Sequence, residues 1–156
     1  MADAMAFVFH GDSLNAALNG MLAESVRATR PAAQAGAQVL YEEARLRAPI
    51  GKDGEHYFYG QNKKYGPFQR GNLKASIYQV YSKKESTPER AVYHISWNTK
   101  VGKAINYAPY GGMVEYGTSR RAATPFIRPA YAAKGQEALM VAKARYEEEM
   151  RKVLNG

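Results

Sequence analysis

Cysteine is absent from the 156-residue sequence, and histidine and tryptophan are scarce. Without cysteine the chain has no disulfide, no thiolate nucleophile and no cysteine-ligated metal. The histidines His10, His56 and His94 lie in different segments, and none has a histidine or acidic partner at metal-ligand spacing. No glycine-rich loop carries the lysine that a phosphate-binding loop requires. We therefore expect no cofactor, no metal site and no catalytic residue.

Long hydrophobic runs are also missing. No stretch of 18 apolar residues occurs, and the N-terminal residues lack the basic flank and the long apolar core of a signal peptide. On this pattern we expect a soluble protein that is neither exported nor bound to a membrane.

Acidic residues are fewer than basic ones, 14 against 22, which gives a net charge of +8. Such a charge attracts polyanions without reading their sequence. The carboxylate runs at 42–43 and 147–149 fall on predicted helices and are typical of solvated faces, whereas a hydrolase needs carboxylates that converge in a cleft or hold a metal. We therefore predict that the protein is not an enzyme; the alternative considered is a small hydrolase based on Glu115.

Tyrosine is the abundant aromatic residue, with 12 copies against five phenylalanines and one tryptophan. Its apolar ring and polar tip favour surfaces that become buried on association. The alternative for each tyrosine is an ordinary half-buried position in the core.

The N-terminal third is predicted to be helical, because residues 14–48 are rich in Ala, Leu, Glu, Gln and Arg. Pro31 divides this segment, and we expect a break or a kink there, since proline lacks the backbone N–H. Apolar residues at helical spacing predict a buried face on each side of Pro31: Leu14, Leu18, Met21, Leu22 and Val26 before it, and Ala35, Val39, Tyr41 or Glu42, and Leu46 after it.

A second long helix is predicted from about Pro129 to Leu154, with proline at its start, where the missing N–H costs no hydrogen bond. At 1.5 Å per residue this helix is about 40 Å long, which exceeds what a small sheet can cover. We expect the surplus to project or to pack on a neighbouring subunit. The predicted inner face consists of Ala132, Leu139, Ala142, Tyr146, Met150 and Val153.

Between the helices the hydrophobic period changes to two. Residues 73–81 and 91–97 alternate as strands do, and the polar turn between them predicts a hairpin. Residues 104–118 are interpreted as a further short strand that ends at Gly117, where a turn with positive φ is expected. The overall prediction is a single α+β domain over residues 1–156, in which a kinked N-terminal helix and a long C-terminal helix pack on a three- to four-stranded antiparallel sheet.

Residues 52–69 form a Gly/Tyr/Lys-rich insertion. Glycine and proline at this density favour a loop or a loose hairpin, and long loops are frequently functional. The aromatic content exceeds what a free loop exposes, which predicts an assembly loop that contacts a neighbouring subunit through Tyr57, Phe58, Tyr59, Tyr65 and Phe68. The alternative is stacking on nucleic acid, with the DNA-facing bases Lys63, Lys64 and Arg70.

Two separated motifs carry a family resemblance. The first consists of Tyr-Ala at 107–108, Val-Glu-Tyr-Gly-Thr at 114–118 and Pro-Phe-Ile-Arg-Pro-Ala at 125–130. The second consists of Ala-Pro-Ile-Gly at 48–51 and Arg-Gly-Asn-Leu-Lys-Ala-Ser-Ile at 70–77. Together they resemble the tail-completion or head–tail joining proteins of long-tailed bacteriophages, a family of neck proteins and tail components. In that family the second motif is nearly continuous, and here the insertion splits it.

The resemblance implies a structural virion protein at the phage neck, assembled in the host cytoplasm, that completes the tail or joins it to the head. It also implies a homo-oligomeric ring of six copies, matched to a tail tube, with the tail terminator, the tail tube and the head connector as partners. Part of the positive charge would then face the lumen and contact DNA non-specifically. The alternative function is a basic nucleic-acid-binding module.

A ring requires one patch of a subunit to meet a different patch of the next subunit. We expect these patches on the motif loop and on the long helices, with Arg120 or Arg121 facing Glu147 or Glu148 of a neighbour. A buried Glu115 must be paired, either with a nearby arginine of its own chain (Arg120, Arg121 or Arg128) or across the interface. The predicted interface residues are Tyr107, Tyr110, Glu115, Tyr116, Arg120, Arg121, Arg128, Glu147 and Glu148.

Overall fold

The computed structural model describes residues 12–59, 64–100 and 106–154. These ranges contain, in chain order, α1 (Asp12–Arg47), β1 (His56–Tyr59), β2 (Lys64–Phe68), α2 (Asn72–Ser76), β3 (Ile77–Tyr81), β4 (Tyr93–Trp97), α3 (Gly111–Tyr116) and α4 (Ile127–Leu154). The predicted α+β class is confirmed, with two long helices and antiparallel strands between them.

The helices α1 and α4 form an antiparallel pair, because early residues of α1 lie beside late residues of α4. The hydroxyl oxygens of Ser25 and Tyr146 are 2.6 Å apart. A Cβ atom at Gly36 would lie 2.8 Å from the carbonyl oxygen of Ala138, so glycine permits the two backbones to approach closely. The buried residues on this side of α1 are all small: Ala28, Ala32, Gly36 and Ala44.

Pro31 does not interrupt α1. All 36 residues from Asp12 to Arg47 form one helix. A proline in a helix interior costs about 3 kcal/mol, but Ala28 and Ala32 on either side of it are buried. Packing of these turns outweighs the local cost, since most helix stability in proteins comes from tertiary contacts. Of the two predicted outcomes, a break or a kink, the break is therefore wrong.

The strands form two antiparallel hairpins within the described residues. In one, β3 pairs with β4, with Ile77 opposite Trp97 at one end and Tyr81 opposite Tyr93 at the other. This is the hairpin that the alternating pattern predicts. The other pairs β1 with β2, so the insertion is a hairpin too. Two two-stranded sheets thus replace the predicted single sheet of three to four strands.

The predicted strand at 73–81 starts later than expected. Its first residues belong to the short helix α2, which buries Leu73 and Ser76, and extended backbone begins at Ile77. The Ser76 hydroxyl donates to the Leu73 carbonyl at 2.7 Å, which satisfies its buried polar group inside the turn. The strand predicted from residue 104 falls partly on residues 101–105, which lie outside the described ranges.

The core lies at one end of the helix pair. Its buried apolar residues come from segments spread along the chain: Ala48, Leu73, Ile77, Ala108, Val114 and Phe126. We call this part of the molecule the globular end. We call residues 12–28 of α1 and 139–154 of α4 the distal helix pair.

Several apolar residues of the predicted faces are exposed, whereas Val26, Ala142, Tyr146 and Met150 are half-buried. Leu18 and Met21 are exposed, as are Leu22 at 65% and Leu139 at 64%. Leu46, at the other end of α1, is 73% exposed. Helical spacing identifies an apolar stripe, but it does not identify what covers the stripe. In the described chain no third layer covers these side chains.

Candidate functional site

The motif segment forms a short helix and not the predicted strand. Gly111–Tyr116 is α3, which ends at Gly117 with φ 77°. The expected positive φ at Gly117 is confirmed. A short apolar run does not by itself distinguish a strand from a helical turn. Here Gly111, Val114 and Glu115 share the buried face, because residues three and four apart lie on one side of a helix.

Glu115 lies inside the globular end with an exposure of only 1%. Its Oε2 accepts hydrogen bonds from the backbone N–H groups of Phe126 at 2.7 Å and Ile127 at 3.0 Å. Its Oε1 accepts from the backbone N–H and from Nε of Arg128, both at 3.1 Å. An ionised carboxylate offers about four acceptor positions, so this carboxylate is saturated by its own chain.

The saturated carboxylate caps α4. The first turn of a helix contains backbone N–H groups without partners and carries partial positive charge. Glu115 accepts from the N–H groups of Ile127 and Arg128, and Pro129 has no N–H to satisfy. The two halves of the first motif are therefore joined through one side chain, which attaches α3 to the start of α4.

Hydrogen bonding sets the protonation state of Glu115. Burial acts to raise the pKa of this carboxyl, but the hydrogen bonds from Phe126, Ile127 and Arg128 outweigh burial and lower it below its ordinary value. Glu115 is thus ionised at neutral pH and paired with Arg128 of the same chain, which confirms the intramolecular alternative. Four hydrogen bonds occupy both of its oxygens, so the geometry gives no support to the alternative of a hydrolase based on Glu115.

Gly111 begins α3 because the Trp97 indole lies against this turn. A Cβ atom at Gly111 would lie 2.7 Å from Cε2 of Trp97, closer than packed atoms allow. The indole in turn meets the buried Phe126 ring edge-on, with 5.6 Å between centroids. Strand β4, α3 and the start of α4 are therefore packed against one another at a single point.

Tyr107 and Tyr110, two of the predicted interface residues, pack within their own chain. Both rings meet Phe68 edge-on, with centroid distances of 5.3 and 5.1 Å. The Asn72 side chain donates to the Tyr107 carbonyl at 2.7 Å and to the Tyr110 hydroxyl at 3.2 Å. Burial raises the pKa of Tyr110. Phe68 is buried, so this member of the predicted assembly loop is a core residue.

The other aromatic residues of the β1–β2 hairpin lie nearer the surface. Tyr57 and Tyr59 are exposed. Phe58 and Tyr65 are partly buried against each other, with 5.9 Å between their ring centroids. These four positions remain the predicted assembly surface of the insertion.

The predicted DNA-facing bases are not arranged as one free array. The Lys64 ammonium lies 3.7 Å from the centroid of the Tyr57 ring. Arg70 forms an ion pair with Asp53 at 2.9 Å. Lys63 lies outside the described residues. Both described bases therefore contact groups of their own chain.

Four of the remaining predicted interface residues lie around the turn that follows α3. Tyr116 is exposed, and the Arg128 guanidinium lies 5.0 Å from its ring centroid. Arg120 and Arg121 are exposed in a turn whose N–H groups bond to the Thr118 hydroxyl. These arginines are not the ones that pair with Glu115.

The last two predicted interface residues, Glu147 and Glu148, already have partners on α4. Glu147 lies 3.9 Å from Lys143 and 3.7 Å from Arg151. Glu148 pairs with Arg145 at 3.0 Å, and a hydrogen bond from Lys152 is the first of the causes that lower its pKa. Such exposed pairs contribute little stability, so Glu147 and Glu148 stay predicted interface residues.

A groove of about 520 Å³ opens beside the motif. Residues of β1 and α3 line it, together with the segments before β1 and after β2. Its base contains the buried residues Phe68, Leu73 and Val114. The basic residues Lys52, Arg70 and Arg121 also line it. Sequence reasoning missed this groove, because its lining comes from several segments that only the folded chain brings together.

The described residues hold no candidate metal site, and the described helices include no candidate membrane span. Within the described ranges, no three His, Cys, Asp or Glu side chains lie close enough together to hold a metal ion. Among the described helices, none is both long enough and apolar enough to cross a membrane.

No family model matches the chain, and no similar protein was found among curated proteins or solved structures. The phage-neck resemblance consequently rests on the two sequence motifs alone. The geometry adds a physical role for one of them, the attachment of α3 to α4 through Glu115.

Proposed function

We propose that this protein is a structural subunit of a tailed bacteriophage that assembles into a ring at the neck, where it completes the tail or joins it to the head. The motif resemblance supplies the role. The observation that supports self-assembly is the exposed apolar surface of the distal helix pair. Leu139 and Met140 of α4, both large apolar residues, are exposed.

The apolar surface continues around α4. Ala138 is buried, and Ala142 faces Gly36 of α1. Leu139, Met140 and Val141, between these two alanines, point to other sides and are exposed. Residues 138–142 are therefore apolar all round, which is typical of a helix with neighbours on more than one side. The described chain supplies one neighbour, α1, and a second subunit would supply another.

α1 carries exposed apolar residues too, nearer its N-terminal end. Leu18, Met21 and Leu22 are exposed, and exposed apolar patches on a soluble protein mark sites of association. A ring forms when such a patch meets a different patch of the next copy. We place the contact on these apolar side chains, and Glu147 and Glu148, whose ion pairs on α4 are exposed, can exchange partners with a neighbour.

The proposal is tested by the mass of the purified protein and by electron microscopy. We expect the wild type to form rings, six-fold if the tail tube sets the symmetry, and Leu139→Glu to remain a folded monomer. Leu46→Glu is the matched control, because it places the same charge on an equally exposed leucine at the globular end. The control variant should still form rings.

Two results would overturn the proposal. One is a wild-type protein that stays monomeric at every concentration tested, with circular dichroism showing that it is folded. The other comes from a phage that encodes this chain: deletion of its gene should leave heads and tails unjoined in electron micrographs, and normal virions would exclude a neck function.

A further inference from the structure

We propose that the groove between β1 and α3 binds a segment of a partner protein that presents an apolar side chain flanked by carboxylates. The groove belongs to the globular end and the self-assembly surface to the distal helix pair. The inference therefore stands whether or not the chain forms a ring.

The base of the groove is apolar. Phe68, Leu73 and Val114 are buried core residues that also line it. Ile50 and Met113 line it as well and are exposed, so they leave apolar surface in water at its mouth. Covering such surface is favourable by roughly 25 cal/mol per Å². The volume of about 520 Å³ matches clefts that hold a few side chains.

The charged residues that line the groove are all basic. Lys52, Arg70 and Arg121 line it, and none of its described lining residues is Asp or Glu. Neither Lys52 nor Arg121 forms an ion pair with another described residue. Arg70 pairs with the exposed Asp53, and an exposed pair of this kind is worth little and exchanges readily. Carboxylates of a ligand would complement these bases, and complementary charge selects the partner.

A protein segment fits this chemistry better than a nucleic acid does. Binding of single strands relies on aromatic faces that are free to stack on bases. Here one face of Tyr57 is covered by the Lys64 ammonium, and Phe58 packs against Tyr65. Phe68 is buried and meets its aromatic neighbours edge-on. The groove thus offers apolar contact and positive charge, but no open stacking platform.

The test uses a fluorescein-labelled hexapeptide, Asp-Glu-Phe-Leu-Asp-Glu, titrated with the full-length protein and followed by fluorescence anisotropy. We expect saturable binding. A peptide with Ser-Ser in place of Phe-Leu, and a peptide with lysines in place of the acidic residues, should each bind at least about tenfold more weakly, a loss of about 1.4 kcal/mol.

Matched protein variants locate the site. Arg121→Glu should weaken peptide binding at least about tenfold, whereas Arg120→Glu, with the same charge change one residue away and outside the groove lining, should not. Ile50→Asp probes the apolar mouth and should also weaken binding. Because Ile50 and Arg121 are exposed, these variants should keep the wild-type melting temperature.

Three outcomes would overturn the inference. The first is that the peptide does not bind, and the second is that Arg120→Glu and Arg121→Glu weaken peptide binding equally, which indicates attraction by net charge alone. The third is that oligothymidylate binds more tightly than the peptide and that Arg121→Glu abolishes its binding, which makes the groove a nucleic-acid site. Leu139→Glu separates the two proposals, since it should abolish rings and leave peptide binding unchanged.

Discussion

The globular end and the distal helix pair of this protein are stabilised in opposite ways. In the globular end the large side chains Phe126 and Glu115 are fully buried, and every acceptor position of the Glu115 carboxylate is used. In the distal helix pair Leu18, Leu22 and Leu139 are exposed, and charged residues pair along the surface of α4. The first region is complete within one chain, and the second leaves apolar surface for a neighbour.

The difference follows from side-chain size. Along α1 the buried residues on the side of α4 are alanine and glycine, which bring the two helices close but bury little apolar area for each residue. Large residues would bury more but would separate the backbones. We therefore expect the pair to depend on the globular end to hold its helices together. Substitutions in the two regions should have effects of very different size.

The largest effect is expected for Leu73→Ala in the globular end. Leu73 is buried in the core cluster, and truncation of a buried leucine removes its transfer free energy and leaves a cavity. We expect the free energy of unfolding to fall by about 3 kcal/mol, measured by urea denaturation. A loss below about 1 kcal/mol would show that the globular end is packed no better than the helix pair.

The next effect is expected for Glu115→Gln. The amide keeps the shape but turns an N–H₂ donor toward N–H groups that need an acceptor, and it removes the charge that pairs with Arg128. We expect a loss of about 2 kcal/mol. Glu137→Gln is the control, because Glu137 is an exposed partner of Lys134 on α4, and its loss should stay below about 0.5 kcal/mol.

Acid should act on the same carboxylate with a smaller effect. Its pKa is lowered in the folded state, so the stabilisation is fully present above the pKa of the unfolded chain, about 4.5. It is lost as the pH falls through the lower folded-state pKa. Urea denaturation between pH 6 and pH 3, values that bracket an ordinary glutamate, should show wild type losing more stability than Glu115→Gln. Parallel curves would contradict this assignment.

The smallest effect is expected for Leu22→Ala in the distal helix pair. Leu22 is exposed, so truncation should change the free energy of unfolding by less than about 0.5 kcal/mol in dilute, unassembled protein. At concentrations where the chain assembles the loss should grow, because association stabilises the folded state. A large loss of unfolding free energy in dilute protein would mean that the distal helix pair is packed within one chain as well as the globular end is.

Sequence reasoning located the long helices, the β3–β4 hairpin and the turn at Gly117, because each has a local signal: helical spacing, alternation or a glycine that accepts positive φ. It also proposed Arg128 among three partners for Glu115. It failed for α3, since six residues carry too little periodicity to separate helix from strand. It also predicted wrongly that Leu18, Leu22 and Leu139 are buried. These residues follow helical spacing, but they are exposed in the described chain.

The sequence by itself determined which segments are helical, which alternate, and where positive charge accumulates, because these follow from neighbours a few residues apart. Only the tertiary structure decided that α1 continues through Pro31, that Glu115 caps α4, and that Lys52, Arg70 and Arg121 line one groove. Each of these depends on groups distant in the chain. Their contacts outweigh local preference once the core is formed.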